Sequence, residues 1–127
     1  MIKEKPTVLI IDDEVSLLTM LGDRLSKDGL NVLKALDGDE GLRMSLENHP
    51  DLILLDIAMP RMDGLTMLGK LREDKWGANA QVILLTNLSG NEKLAASLEH
   101  GVFDYLVKSD WTMEEMSKKV RDKLHVS

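Results

Sequence analysis

The sequence contains no cysteine and no long hydrophobic run. Without cysteine the chain can form no disulfide, no thiolate metal site and no cysteine nucleophile, which fits the reducing cytosol. No apolar run approaches the roughly 20 residues that cross a bilayer, and the run at residues 8–11 is too short for a signal peptide. The sequence therefore predicts a cytoplasmic protein that does not contact a membrane.

An excess of positive charge is also lacking. The formal net charge is -6 at pH 7, and a negatively charged protein offers no broad electrostatic surface to the phosphates of a nucleic acid. We therefore expect no direct nucleic-acid binding, and any effect on DNA is expected to pass through another protein.

The length and composition are those of one globular domain. The chain has 127 residues, 43% hydrophobic and 30% charged, and a chain of this size buries roughly two thirds of its unfolded surface. We find no long linker, low-complexity tract or internal repeat. The sequence predicts a single domain over residues 1–127, with its core at about residues 7–125 and no second domain.

Four short aliphatic runs predict buried strands, and a fifth run is weaker. Their apolarity is continuous rather than alternating, which is typical of strands covered on both faces in a parallel sheet. The predicted strands are residues 7–11, 30–36, 51–55, 81–85 and 102–107, of which 30–36 is the weaker.

Segments of helical periodicity separate these strands. Leu18, Leu21 and Leu25 form one apolar stripe, and similar stripes occur within residues 65–71 and 113–124. Strand and helix alternate five times, as (βα)5. This order predicts an α/β fold, with one doubly wound, five-stranded parallel sheet, helices on both faces and right-handed crossovers.

Helix boundaries are also marked in the sequence. Residues 89–92 (SGNE) and 112–115 (TMEE) fit the capping box, and Asp37 is a favourable residue to precede the second helix. Gly29 and Gly101 stand where helices should end, each just before a strand. These residues predict where the helices begin and end.

Polar side chains collect at the carboxyl ends of the predicted strands. Asp12 and Asp13 follow the first strand, Asp56 the third, Thr86 the fourth and Lys108 the fifth. The functional crevice of an open α/β sheet lies at that edge, so these five side chains can meet there. Three carboxylates in one place favour a hard divalent cation, and Mg²⁺ suits them best. With the ammonium and the hydroxyl they form a receptacle for a phosphoryl group, and a carboxylate can be the nucleophile.

Each of these residues alone also has a purely structural interpretation. Asp13 can cap the helix that follows it, and Asp56 can be an ordinary loop residue before Pro60. Thr86 can be structural at its strand end, and Lys108 can be a solvated surface charge. Taken together, these interpretations require five independent coincidences at four strand ends.

Four segments carry a resemblance to a known family. They are VLIIDDE, DLILLDIAMPRMDG, ILLTN and GVFDYLVK, in this order and at this spacing. From about Thr7 to its end the chain resembles a response-regulator receiver domain of two-component signalling, in the single-domain form of the chemotaxis regulators. The expected strand order is then the flavodoxin-like 2-1-3-4-5.

The resemblance implies roles for the acidic residues and the lysine. Asp56 would accept a phosphoryl group from the phosphohistidine of a sensor histidine kinase or phosphotransfer protein. Asp13, Asp56 and the backbone carbonyl of Ala58 would bind Mg²⁺, with Asp12 acting mainly through water. Lys108 would contact the phosphoryl oxygens. Such a domain is not an enzyme except toward its own phosphorylation and dephosphorylation.

The resemblance also implies a switch and an output surface. Thr86 and Tyr105 would form the switch pair, although a lone tyrosine is more often a half-buried packing residue. A downstream protein would bind the face made by the fourth helix, fifth strand and fifth helix, roughly residues 91–124. The added charge at Asp56 would draw Thr86 inward and so change that face.

The sequence departs from the family pattern near the site. Ser109 follows Lys108 where many members have proline, and Asn87 follows Thr86 where many have a small residue. We expect a trans peptide bond between Lys108 and Ser109, since a cis bond without proline costs about 3 kcal/mol. Ala58 and Leu88 would flank the path of an attacking water without orienting it, which predicts a long-lived phosphorylated state.

Three other functions compete with this interpretation. A metal-dependent aspartyl phosphohydrolase would need a second carboxylate two residues after the nucleophile, where this chain has Ala58. A flavodoxin-like cofactor carrier would need a loop rich in glycine, serine and threonine, where this chain has IDDEVS. A receiver-like interaction module that is never phosphorylated is the third alternative, and the complete set of five polar residues argues against it.

Overall fold

The computed structural model describes residues 5–86, 101, 104–109 and 111–126. Five parallel strands form one sheet in the order β2-β1-β3-β4-β5. The strands are β1 (Thr7–Ile11), β2 (Asn31–Ala35), β3 (Leu52–Asp56), β4 (Val82–Thr86) and β5 (Asp104–Val107). The predicted α/β class, parallel sheet and strand order are confirmed.

Four α-helices lie within the described part of the chain. They are α1 (Val15–Lys27), α2 (Gly38–Asn48), α3 (Gly64–Glu73) and α4 (Met113–Lys123), and a short 3-10 helix (Gly77–Asn79) precedes β4. The Asp37 carboxylate accepts a hydrogen bond from the backbone N–H of Glu40 and caps α2, as predicted. Thr112 and Glu115 form the predicted capping box of α4. The predicted start at residues 89–92 lies outside the described residues.

The helices cover both faces of the sheet. Alternate residues of the strands point to opposite sides, so that Val8 and Ile10 pack with α1 and α4, whereas Leu9 and Ile11 pack with α2 and α3. The two central strands β3 and β4 are buried along their whole length. Their continuous apolarity is therefore explained by burial on both faces.

Several strand boundaries differ from the prediction by one residue: β2 is shorter by one residue at each end than the predicted 30–36, and β3 and β4 begin and end one residue later than the predicted 51–55 and 81–85. The apolar runs end at Leu55 and Leu85, but the parallel ladder continues for one residue on each strand, to Asp56 and Thr86. Both polar residues are therefore the last residues of their strands, and their backbones are fixed by the sheet. Residues 102 and 103, predicted as part of the fifth strand, lie outside the described residues.

Candidate functional site

The sheet brings three sequence-predicted carboxylates together at its carboxyl edge. Asp12 directly follows β1 and Asp56 ends β3, which is the strand beside it. One carboxylate oxygen from each of Asp12, Asp13 and Asp56 lies within 4.8 Å of the others. Asp12 and Asp56 are buried, whereas Asp13 is exposed. The cluster therefore opens to solvent on the Asp13 side.

Lys108 lies inside this cluster. It directly follows β5, and its side chain is only 7% exposed. The Nζ atom is 2.6 Å from Asp12 Oδ2, 3.1 Å from Glu14 Oε1 and 3.4 Å from Asp56 Oδ2. One buried ammonium therefore serves three carboxylates, and it lies farthest from Asp56.

Asp12 is fully buried and held by the backbone around it. Its N–H donates to the Ala35 carbonyl at 3.0 Å, and its Oδ1 accepts from the Glu14 N–H at 2.8 Å. Its other oxygen, Oδ2, has no hydrogen bond of normal geometry within the described residues, and its contact is the ion pair with Lys108. A buried carboxylate oxygen of this kind has coordination capacity left for a cation.

Burial and mutual repulsion change the ionisation of the cluster. Burial raises the pKa of Asp12, although the contact with Lys108 opposes this effect. Burial, followed by the charge of Asp12, raises the pKa of Asp56 to about 6. Burial alone would lower the pKa of Lys108, but the contact with Asp12 raises that pKa above its ordinary value. The cluster thus holds more negative charge than Lys108 compensates, which favours an added cation.

The loop after Asp56 returns tightly to the end of β3. The N–H of Gly64 donates to the Ile57 carbonyl at 2.8 Å. A Cβ atom on Gly64 would lie only 2.2 Å from the carbonyl oxygen of Asp56, so this position has room for glycine alone. The Asp63 carboxylate caps α3 by accepting from the Thr66 N–H. The backbone of Asp56 is therefore closely packed as well as hydrogen-bonded.

The same loop is bound to the start of α2. Arg61 Nε donates to Asp37 Oδ2 at 2.9 Å, and the N–H of Gly38 donates to the Met62 carbonyl at 3.1 Å. Arg61 has a φ of 66°, in the left-handed region that favours glycine. Sequence reasoning missed both the left-handed turn and the contact with Asp37, because arginine is not a residue type that marks such a turn.

The predicted switch residues lie on the two neighbouring strands β4 and β5. Thr86 is buried at the end of β4, and its carbonyl accepts from the Lys108 N–H at 2.7 Å. Tyr105 pairs with Leu84 in the sheet and is 47% exposed. Tyr105 is thus more exposed than the packing interpretation expected. The output face was predicted to include a fourth helix between β4 and β5, which lies outside the described residues. The predicted fifth helix of that face is α4.

Glu14 is a site residue that sequence reasoning missed. It precedes the first residue of α1, yet its side chain makes no capping hydrogen bond and contacts Lys108 instead. Its position next to the acidic pair was the only available signal. The peptide bond between Lys108 and Ser109 is trans, as expected.

Comparison with known proteins identifies the family. Residues 8–121 match the model of the response regulator receiver domain. The chain therefore belongs to the response regulator receiver domain family, whose members are signalling domains rather than enzymes in the usual classification. The resemblance expected from the four sequence segments is confirmed.

Individual relatives agree with this assignment. The probable transcriptional regulator ycf27 of Porphyridium aerugineum is 36% identical over 121 residues, which are 95% of this chain and 49% of that protein. The chain spans about half the length of the curated relatives it matches.

Solved structures match over nearly their whole length. The chemotaxis protein CheY4 of Vibrio cholerae has a TM-score of 0.86 at 27% identity, covering 94% of this chain and 98% of that chain. A chain of the CheX-CheY-BeF3-Mg²⁺ complex from Borrelia burgdorferi has a TM-score of 0.83 at 29% identity, covering 96% and 90%. Among the described residues, none of the helices combines the length and the apolarity that crossing a bilayer requires.

Proposed function

We propose that this chain is a phosphoacceptor that receives a phosphoryl group on Asp56 from a phosphohistidine, with Mg²⁺, and thereby changes a protein-binding surface. The observation that carries this proposal is the position of the Asp56 carboxylate. It lies at the end of a buried strand, within one cluster with Asp12 and Asp13, and 3.4 Å from the Lys108 ammonium.

The proposed transfer uses groups that are already in place. A carboxylate oxygen of Asp56 attacks the phosphorus, the P–N bond of the phosphohistidine breaks, and the imidazole nitrogen keeps the bonding electrons. The Lys108 ammonium donates hydrogen bonds to the phosphoryl oxygens. The sheet and the close approach of Gly64 fix the Asp56 backbone, so the nucleophile needs little reorganisation.

The residues present fit a magnesium site. Carboxylate oxygens are hard ligands, the Asp12 Oδ2 atom is buried without a normal hydrogen bond, and Asp13 faces solvent, from which the ion keeps its waters. Asp13, Asp56 and the carbonyl of Ala58 would hold the ion directly, and Asp12 through water. When bound, Mg²⁺ would supply positive charge to the phosphoryl oxygens. The likeness to a chain of the CheX-CheY-BeF3-Mg²⁺ complex supports this choice of metal.

The output of the proposed reaction is a change of surface. Phosphorylation replaces a carboxylate by a group of nearly two negative charges. Thr86 ends the strand next to Asp56, and Tyr105 lies exposed on the strand beyond it. We propose that these two residues pass the change to the face around residues 91–124, where a downstream protein binds. The proposed unit is a single receiver domain over residues 1–127.

Intact-mass measurement after incubation with acetyl phosphate and Mg²⁺ tests the proposal. The wild-type protein should gain one phosphoryl group, which hydroxylamine removes. Asp56→Asn, or excess chelator, should abolish the gain. Asp23→Asn is the matched control, since it removes an exposed carboxylate on α1.

Two results would contradict the proposal. Equal modification of Asp56→Asn would show that another residue is the acceptor. No modification of the wild-type protein would favour the interaction module that is never phosphorylated.

A further inference from the structure

Glu14 occupies a helix-capping position without capping the helix. Serine, threonine, aspartate and asparagine are preferred at this position because their short side chains reach the free N–H groups of the first turn. The Glu14 side chain makes no such bond. Its Oε1 atom lies 3.1 Å from Lys108 Nζ, across 94 positions of the chain. The side chain is therefore used for the site rather than for the helix.

Glu14 also has a backbone contact with the acidic cluster. Its N–H donates to Asp12 Oδ1 at 2.8 Å, so the residue touches both Asp12 and the lysine that pairs with Asp12. The Glu14 side chain is 48% exposed, whereas that of Lys108 is 7% exposed. Glu14 is thus the solvent-facing partner of a buried ammonium.

The distances around Lys108 show which carboxylates its ammonium lies nearest to. An ammonium carries three N–H groups, and the Lys108 ammonium lies within ion-pair distance of three carboxylates. Asp12 and Glu14 are nearer to Nζ, at 2.6 and 3.1 Å, than Asp56 at 3.4 Å. A phosphoryl group on Asp56 would need some of these donors. One of these donors is bonded to Glu14, the most exposed of the three carboxylates.

We propose that Glu14 is a positioning residue that competes with the phosphoryl group for Lys108. This inference rests on the proposed phosphorylation of Asp56. While Glu14 holds Lys108, the ammonium stays on the Asp12 side and is less available to Asp56. The Glu14 charge also repels an incoming anionic phosphoryl donor. Glu14 thereby slows phosphorylation and weakens the contact between Lys108 and the phosphoryl oxygens.

Two substitutions separate the charge of Glu14 from its reach. Glu14→Gln keeps the length and removes the charge, whereas Glu14→Asp keeps the charge, shortens the side chain and supplies a favoured capping residue. The control is Glu47→Gln, which removes a carboxylate paired with Arg43 on the surface of α2, far from the site in sequence and more exposed than Glu14. The rate of phosphorylation by acetyl phosphate at saturating Mg²⁺ is followed by intact mass.

We expect Glu14→Gln to phosphorylate roughly two- to fivefold faster than the wild type, the range that a half-exposed ion pair supports. Glu14→Asp should be faster by a smaller factor, and Glu47→Gln should not change the rate. The advantage of Glu14→Gln should shrink as salt is raised, because ions screen the charge. A role in helix capping alone would change thermal stability and leave the rate and its salt dependence unaltered.

A second measurement reports on the competition directly. In a crystal structure of unphosphorylated Glu14→Gln, Lys108 Nζ should lie closer to Asp56 Oδ2 than 3.4 Å. An unchanged or lower rate for Glu14→Gln, with a wild type that is phosphorylated, overturns the role of Glu14 and leaves the proposed function standing. A wild type that accepts no phosphoryl group overturns both.

Discussion

Replacing Asp56 by asparagine is expected to stabilise the metal-free protein at neutral pH. Burial, followed by the charge of Asp12, raises the pKa of Asp56 from 3.8 to about 6, whereas the unfolded chain leaves this carboxyl near its ordinary pKa. The folded state therefore binds the proton more tightly than the unfolded state. By linkage, stability falls as the pH rises between these two pKa values, because the ionised carboxylate is disfavoured in the fold.

The size of the effect follows from the same pKa. Each pH unit between the folded and unfolded pKa corresponds to about 1.4 kcal/mol. The rise from 3.8 to about 6 therefore sets an upper limit of about 3 kcal/mol on the destabilisation. Part of this destabilisation is repulsion between Asp56 and Asp12, which the asparagine also removes. We therefore expect Asp56→Asn to raise the free energy of unfolding by about 1 to 3 kcal/mol at neutral pH.

Urea unfolding of both proteins in the presence of a chelator measures this difference. It should be near zero below about pH 3, where both states are protonated, and should grow until the pH passes about 6. Taking the difference between the two proteins cancels the titration of distant groups. A variant that is less stable at neutral pH, or a difference that does not change with pH, would refute the reasoning.

Three further predictions concern the metal, the loop after Asp56 and the lifetime of the phosphorylated state. Mg²⁺ at about ten times its dissociation constant should stabilise the wild type by about 1.4 kcal/mol in urea unfolding, and an equal gain for Asp56→Asn would argue against Asp56 as a ligand. Gly64→Ala should lower the free energy of unfolding by about 1 to 3 kcal/mol, since its Cβ would meet the Asp56 carbonyl at 2.2 Å; a more stable variant would contradict this packing. Ala58→Asn combined with Leu88→Glu should shorten the half-life of the phosphorylated protein on the order of tenfold, as followed by mass after donor removal, and an unchanged half-life would place the control of hydrolysis elsewhere.

The sequence predicted most of the sheet because apolarity reports burial. The first strand was predicted with its observed bounds, Thr7–Ile11. The third and fourth strands were predicted at 51–55 and 81–85, one residue too early, since Asp56 and Thr86 are polar but their backbones continue the ladder. The change from apolar to polar side chains marks where an apolar run ends, whereas backbone hydrogen bonds decide where a strand ends. That one residue matters, because it makes Asp56 part of the rigid sheet.

The sequence predicted which residues form the site better than it predicted the contacts between their side chains. Strand order alone brings Asp12, Asp56 and Lys108 to one edge, so their proximity could be inferred. Which carboxylates Lys108 contacts depends on side-chain rotamers and on how solvent is excluded, and the sequence carries no pattern for either. The contact with Glu14 and the left-handed turn at Arg61 were therefore missed.

The position of Lys108 has a consequence for how the site comes into being. Lys108 follows β5, which is the edge strand beside β4 in the described sheet, while its partner Asp12 follows β1 near the middle of the sheet. A fragment that ends before residue 108 would therefore lack the ammonium that pairs with these carboxylates. Such non-local closure is late and slow compared with local helix formation. The proposed phosphoryl transfer is therefore expected only in molecules whose last strand has docked. A truncated or partly folded copy would not be phosphorylated.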